Sequence, residues 1–131
     1  FRRGWMIAGH YGFQVTKHSV DGFLQGEDIP NAPVHLAGAK LVLPLFERRV
    51  RLASRIYVEA GRQNRNHDTL PATVLWDVML SGELPALKMQ YSAGIRNILN
   101  WDYSHPVGDE LTELSIRQPG TSATLEMNFQ F

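Results

Sequence analysis

The chain has 131 residues, and its 13 Lys and Arg balance its 13 Asp and Glu. With no net charge and no long basic run there is no electrostatic footprint for nucleic acid, which leaves nucleic acid off the list of partners. Cysteine is absent, which excludes disulfide scaffolds, thiolate metal sites and cysteine nucleophiles. No stretch reaches the roughly 18 uninterrupted apolar residues of a transmembrane helix. A membrane β-barrel passes that test unnoticed, because its alternating faces average to ordinary hydropathy.

Period-two alternation recurs six times, and the charges say which face is which. A Lys or Arg facing lipid costs roughly 2 to 4 kcal/mol at mid-membrane, so the charged register is the inner one. In "GWMIAGHYGFQVTK" the outer set is Trp5, Ile7, Gly9, Tyr11, Phe13 and Val15, opposite His10, Gln14 and Thr16. In "VHLAGAKLVLPLF" Lys40 marks the inner face and leaves Ala37, Ala39, Leu41, Leu43 and Leu45 outside; Pro44, which lacks a ladder donor, belongs near a strand end. In "VRLASRIYVEAGR" Arg51, Arg55 and Glu59 face in and Val50, Leu52, Ile56 and Val58 face out. In "TVLWDVMLSGE" Asp77 sets the inside against Val74, Trp76, Val78 and Leu80. In "LKMQYSAGIRN" Lys88, Gln90, Ser92 and Arg96 alternate with Leu87, Met89, Tyr91, Ala93 and Ile95. In the closing "TLEMNFQF" Leu125, Met127, Phe129 and Phe131 form the apolar stripe.

The links between these segments alternate long and short. They run from about Lys17 to Pro33, over "ERR" (Glu47 to Arg49), over "QNRNHDTLP", over "ELPA", and from about Asn100 to Thr121. Short periplasmic turns on one rim and long extracellular loops on the other are the habit of outer-membrane barrels. A C-terminus on the short-turn side makes all five links consistent. The segments run about 10 to 13 residues, near the 9 to 11 needed to cross a bilayer at a tilt and longer than the 5 or 6 of an ordinary globular strand. Trp5, Tyr57, Trp76, Tyr91, Trp101, Tyr103, Phe129 and Phe131 are the aromatics available to girdle such a barrel. Six strands fall short of the about eight needed for closure, so further strands are expected from outside this stretch, most simply from an earlier part of a longer polypeptide.

Three stretches then resemble one family. "IPNAPVH" (Ile29 to His35) resembles the "P-x-x-P-x-H" found late in TonB-dependent outer-membrane receptors. "GIRNILNWDYSHP" (Gly94 to Pro106) is similar to their penultimate-strand signature, "G-x-x-N-L-F-D-x-x-Y-x-x-P", with Ile98, Leu99 and Asn100 in place of Leu, Phe and Asp. "IRQPGTSATLEMNFQF" (Ile116 to Phe131) resembles their closing "Q-P-G-R" strand, with Thr121 where Arg is frequent. The resemblance implies an all-β, antiparallel transmembrane barrel of about 22 strands around an N-terminal plug, of which residues 1–131 would be the last six strands. It implies an integral protein of the bacterial outer membrane that takes up a scarce ligand such as a ferric siderophore, cobalamin or a sugar. Its partners would be outer-membrane lipid, the remainder of the barrel and plug, TonB through an N-terminal part, the transported small molecule and the barrel-assembly machinery. The last of these would read Leu125, Met127, Phe129 and Phe131 as an assembly signal.

The same frame sorts the polar residues. Arg51, Arg55, Glu59, Asp77, Lys88 and Arg96 are expected to face the lumen or a plug. His67, Asp68, Trp101 and His105, the last near Asp109 and Glu110, fall in long loops where they could touch a ligand. No pair among His10, His18, His35, His67 and His105 has ligand spacing, so neither a metal nor another cofactor is expected. The acids of "DGFLQGED" and "GDELTEL" read as solvated loop residues. No nucleophile elbow, phosphate loop or triad order points to an enzyme. Two rival architectures fit the alternation: a small or split outer-membrane barrel closed by a partner chain, and a soluble lipocalin-type module with its apolar face turned into a cavity.

Overall fold

The computed structural model describes residues 4–15, 32–46, 49–64, 66, 68–107 and 112–130. Six long strands form one antiparallel sheet: β1 (Met6–Phe13), β2 (His35–Leu45), β3 (Val50–Ala60), β4 (Thr73–Leu84), β5 (Met89–Arg96) and β8 (Ser122–Phe129). Neighbours in sequence are neighbours in space, so the sheet is a meander with β1 and β8 at its two edges. Within the last link, β6 (Ser104–Pro106) and β7 (Ser115–Arg117) make a separate small hairpin. The sheet is open. Its long strands span 8 to 12 residues, somewhat shorter at β1, β5 and β8 than the alternation suggests.

Directly opposed residues in an antiparallel ladder share a face, so the register tests the face assignments. Ile7 opposes Leu41, Leu43 opposes Leu52, Ile56 opposes Trp76, Leu80 opposes Ala93 and Tyr91 opposes Met127. Within the six strands, the residues assigned outward therefore fall on one common face. Lys40 opposes Arg55, Arg55 opposes Asp77, and Ser92 opposes Glu126 on the other. No Asp, Glu, Lys or Arg of the six strands lies on the apolar face. Among the described residues no Ala, Val, Leu, Ile, Met, Phe, Tyr or Trp side chain is buried, and Ile7, Tyr11, Phe13 and Leu125 are more than three-fifths exposed.

The short turns carry their own chemistry. Pro85 opens a single 3₁₀ turn (Pro85–Leu87), and Lys88 closes it in the left-handed region, donating its N–H to Pro85 O at 3.1 Å. Lys88 thus stands in the turn that precedes β5 and not in the strand: the run Leu87, Lys88, Met89 keeps its alternation while the backbone reverses. Leu87 leaves the outward row for the same reason. Pro44 sits one residue from the end of β2, as expected. Two glycines allow close approach across strands. A Cβ at Gly38 would collide with the His10 imidazole, and one at Gly82 would lie 2.7 Å from both the Tyr91 hydroxyl and Arg49 O.

Candidate functional site

Two pairs of polar side chains on the apolar face bond to each other. Trp76 Nε1 donates to Ser54 Oγ at 2.9 Å, joining diagonal neighbours of β4 and β3. Tyr11 Oη and His35 Nδ1 lie 2.8 Å apart, with the His35 ring between Tyr11 and Phe13 at centroid distances of 6.2 and 5.3 Å. Each pairing removes a polar group that would otherwise need water. The aromatics of this face are Trp5, Tyr11, Phe13, Trp76, Tyr91 and Phe129, and Trp76 lies in the row of Gly9, Ala39 and Ile56, midway between Trp5 and Phe13. Trp5 and Phe13 are eight residues apart, about 26 Å along an extended strand. Tyr57 does not join them. It shares parity with Arg55, opposes Gly38 on the inner face and donates its hydroxyl to Glu59 Oε2 at 2.9 Å, which corrects its place among the girdle aromatics.

The opposite face carries the charged side chains, set among apolar residues such as Val42, Leu75 and Met79. In its middle row, Arg55 gives both Nε (3.2 Å) and Nη2 to Asp77 Oδ2, while Asp77 Oδ1 accepts the Asn97 N–H at 3.0 Å. Nearer the short turns, Arg51, Ser81, Ser92 and Glu126 line up across four strands. Next to them Gln90 donates to Glu83 and Asn128 to Glu126 around a recess of about 450 Å³.

At the long-link end, Asn97 holds the strand exit. It is 4% exposed, sits at φ 51°, donates Nδ2 to Trp101 O and accepts the Trp101 N–H at 2.8 Å. Its carbonyl accepts the Thr121 hydroxyl at 2.7 Å, which ties the start of the last link to the residue leading into β8. Asn is one of the few non-glycine residues that tolerates this backbone region, because its short amide bonds locally. Trp101, expected as a free ligand contact, is pinned by Nε1 to Ala72 O at 3.2 Å.

A second cluster forms above the inner face. Glu59 is 4% exposed; its Oε2 accepts from Tyr57 and from Arg62 Nη2, each at 2.9 Å. Arg62 Nη1 lies 3.1 Å from His105 Nδ1, and His105 Nδ1 is 3.9 Å from Glu59 Oε1. Because a guanidinium can only donate, Nδ1 accepts and the His105 proton resides on Nε2. His105 therefore lies on β6 as a structural contact that docks the small hairpin over the wall. Asp102 and Arg117 add a two-pronged exposed pair at 2.8 and 2.9 Å beside a recess of about 450 Å³.

The sequence-predicted residues thus separate. Arg51, Arg55, Asp77 and Arg96 share the charged face of the sheet, and Glu59 is on that face but covered. Leu125, Met127 and Phe129 lie outward on β8, while Phe131 is outside the described residues. Asp68 closes a turn with Asn64, accepting from its Nδ2 at 3.2 Å; His67, His18, Asp109, Glu110 and the segment "DGFLQGED" are outside the described residues. Asn97, Arg62 and Tyr57 carry contacts that sequence reasoning did not assign. For Asn97 the available sign was an Asn directly after a strand and ahead of Asn100 and Trp101. Among the described residues no three His, Asp or Glu side chains gather where they could hold a metal, and no helix is long and apolar enough to cross a membrane. Comparison with known proteins returns no matching family model, no matching curated protein and no matching solved structure.

Proposed function

We propose that this chain is wall of an outer-membrane β-barrel, and that the whole protein is a TonB-dependent receptor for a scarce ligand such as a ferric siderophore. The observation that carries the membrane part is the segregation of charge: eight strand residues of the types Asp, Glu, Lys and Arg (Lys40, Arg51, Arg55, Glu59, Asp77, Glu83, Arg96, Glu126) share one face, and none lies on the other. A soluble sheet would bury its apolar face, yet among the described residues no Ala, Val, Leu, Ile, Met, Phe, Tyr or Trp side chain is buried. Lipid would take the place of the second layer, and the internal pairing of Ser54 with Trp76 and of Tyr11 with His35 suits a face without water. The unpaired edges of β1 and β8 require further strands, since open edges cannot face hydrocarbon. The transport part rests on the three stretches that resemble the receptor family, whose Asn97 here has a physical task at the strand exit. On this reading the chain supplies barrel wall and the floor of an extracellular vestibule, while plug and TonB contact come from elsewhere in the polypeptide.

The test is to produce the whole protein in a Gram-negative host. The expected result is a polypeptide in the outer-membrane fraction that migrates differently in detergent gels before and after boiling, with ligand uptake that stops when the proton gradient is collapsed. A soluble protein without heat-modifiable migration would overturn the reading. A heat-modifiable barrel assembled from this short chain and a second polypeptide would replace it with the split-barrel alternative.

A further inference from the structure

The last link brings its two ends side by side, Asn100 to Asp102 on the way out and Arg117 to Gly120 on the way back, around a recess of about 450 Å³. Three contacts hold the two runs together. Thr121 N–H donates to Asn100 Oδ1 at 3.1 Å, Gln118 N–H donates to Tyr103 O at 2.9 Å, and Arg117 gives Nε and Nη2 to the two Asp102 oxygens. Gly120 permits the first, since a Cβ there would lie 2.6 Å from Asn100 Oδ1. The walls of the recess are therefore fixed.

The same contacts decide what each side chain has left to offer. A backbone N–H can only donate, so the Asn100 oxygen faces Thr121 and Nδ2 is left as a donor. A backbone carbonyl can only accept, so Gln118 turns Nε2 to Ile116 O at 3.2 Å and keeps Oε1 as an acceptor. Arg117 retains Nη1, and each Asp102 oxygen retains a lone pair, on side chains that are 76% and 67% exposed. Beside them stands Trp101, 38% exposed, its indole oriented by the Nε1 bond to Ala72 O. The recess thus sets two donors, two acceptors and no net charge around one indole.

We propose that this recess binds an uncharged saccharide. Each sugar hydroxyl both donates and accepts, so neighbouring hydroxyls match a guanidinium and a carboxylate held side by side. The C–H face of a pyranose ring suits the negative face of an indole. Asp102 beside Arg117 disfavours a small anion, and Arg117 beside Asp102 disfavours a cation. The protein groups are in place before the ligand arrives, which limits the ordering cost. Only the last link and the lead into β8 build the site, so the inference does not rest on the reading of the sheet as barrel wall. Such a sugar comes either free or as a neutral residue of a surface glycan.

Saturation-transfer NMR on the whole protein in lipid nanodiscs tests this. The probes are the methyl glycosides of glucose, galactose, mannose and N-acetylglucosamine, and the delipidated, dephosphorylated core oligosaccharide of lipopolysaccharide. Inorganic phosphate and citrate serve as competitors. The expected result is transfer to ring protons of at least one probe, undisturbed by either anion. Binding of a glycoside assigns a free sugar, and binding of the oligosaccharide alone assigns a surface glycan. Trp101→Leu and Asp102→Asn are each expected to weaken binding at least tenfold. Because these changes also touch the link's own contacts, the exchange of Asp102→Arg with Arg117→Asp is the sharper variant. It keeps an ion pair across the link while swapping donor for acceptor, and it too is expected to lose binding. No binding of any probe, displacement by phosphate or citrate, or unchanged affinity in the exchanged variant would overturn the proposal.

Discussion

Adjacent residues of β4 lie on faces of different chemistry. Val78 stands between Ser54 and Ile95 on the apolar face, whereas Met79 stands between Ala53 and Gly94 on the polar one. The two residues have similar hydrophobicity, so nothing in their own chemistry distinguishes them. Their neighbours do: the Val78 face holds no charge and pairs its polar atoms among themselves, while the Met79 face spends its hydrogen bonds on carboxylates and guanidinium groups. One backbone with a period of two builds both surfaces, and the difference teaches that each surface is written for what will touch it.

Charge placed on either side breaks or sharpens this contrast. Val78→Arg is expected to destabilise the folded barrel by about 2 to 4 kcal/mol, and Met79→Arg by about 0.5 kcal/mol or less, measured by urea titration of the whole protein in lipid vesicles. Equal losses at both positions would erase the distinction between the faces.

The next largest effect is expected at Asn97. Asn97→Ala removes two side-chain hydrogen bonds to Trp101 and places alanine at a positive φ, for a cost of about 2 to 3 kcal/mol. Asn97→Gly restores backbone freedom but not the bonds, so it should recover part of that loss. Proteolysis rates of the last link, compared across the two variants, report the difference. A full recovery by glycine would mean that the amide contacts contribute little.

Smaller again is Asp77→Asn, which weakens the Arg55 contact while leaving an acceptor for the Asn97 N–H. With Arg55 largely exposed, about 0.5 to 1 kcal/mol is expected, and the effect should shrink with added salt. Comparable in size is Ser54→Ala, which leaves Trp76 Nε1 without its partner on the apolar face, for about 0.5 to 1 kcal/mol and a shift in Trp76 fluorescence.

Much of this architecture was legible in the sequence for a simple reason: a charged residue every few positions labels the register of a strand, and period two carries the label along it. Lys40, Arg55 and Asp77 fixed three strands in this way. The same parity places Tyr57 inside with Arg55, a rule that its aromatic character obscured. Lys88 was read as part of the strand because alternation does not see a chain reversal, although Pro85 marked one. The clusters at the long-link end were hidden for a different cause. Arg62 and His105 are 43 residues apart, and only the docking of the β6–β7 hairpin brings them together over Glu59. Three-residue strands such as β6 and β7 have too few positions for any periodicity to show.

The absence of cysteine from these 131 residues makes one experiment direct. Single cysteines placed in turn from Ser54 to Val58 and from Val74 to Leu80, spin-labelled in the whole protein in bilayers, would be read for collisions with dissolved oxygen and with a water-soluble nickel complex. The account predicts a strict period of two, with oxygen preferred at Ile56, Val58, Val74, Trp76 and Val78, and nickel accessibility or protection without oxygen preference at Arg55, Tyr57, Asp77 and Met79. Equal access of the nickel complex to both sets would place both faces in water and contradict the membrane wall.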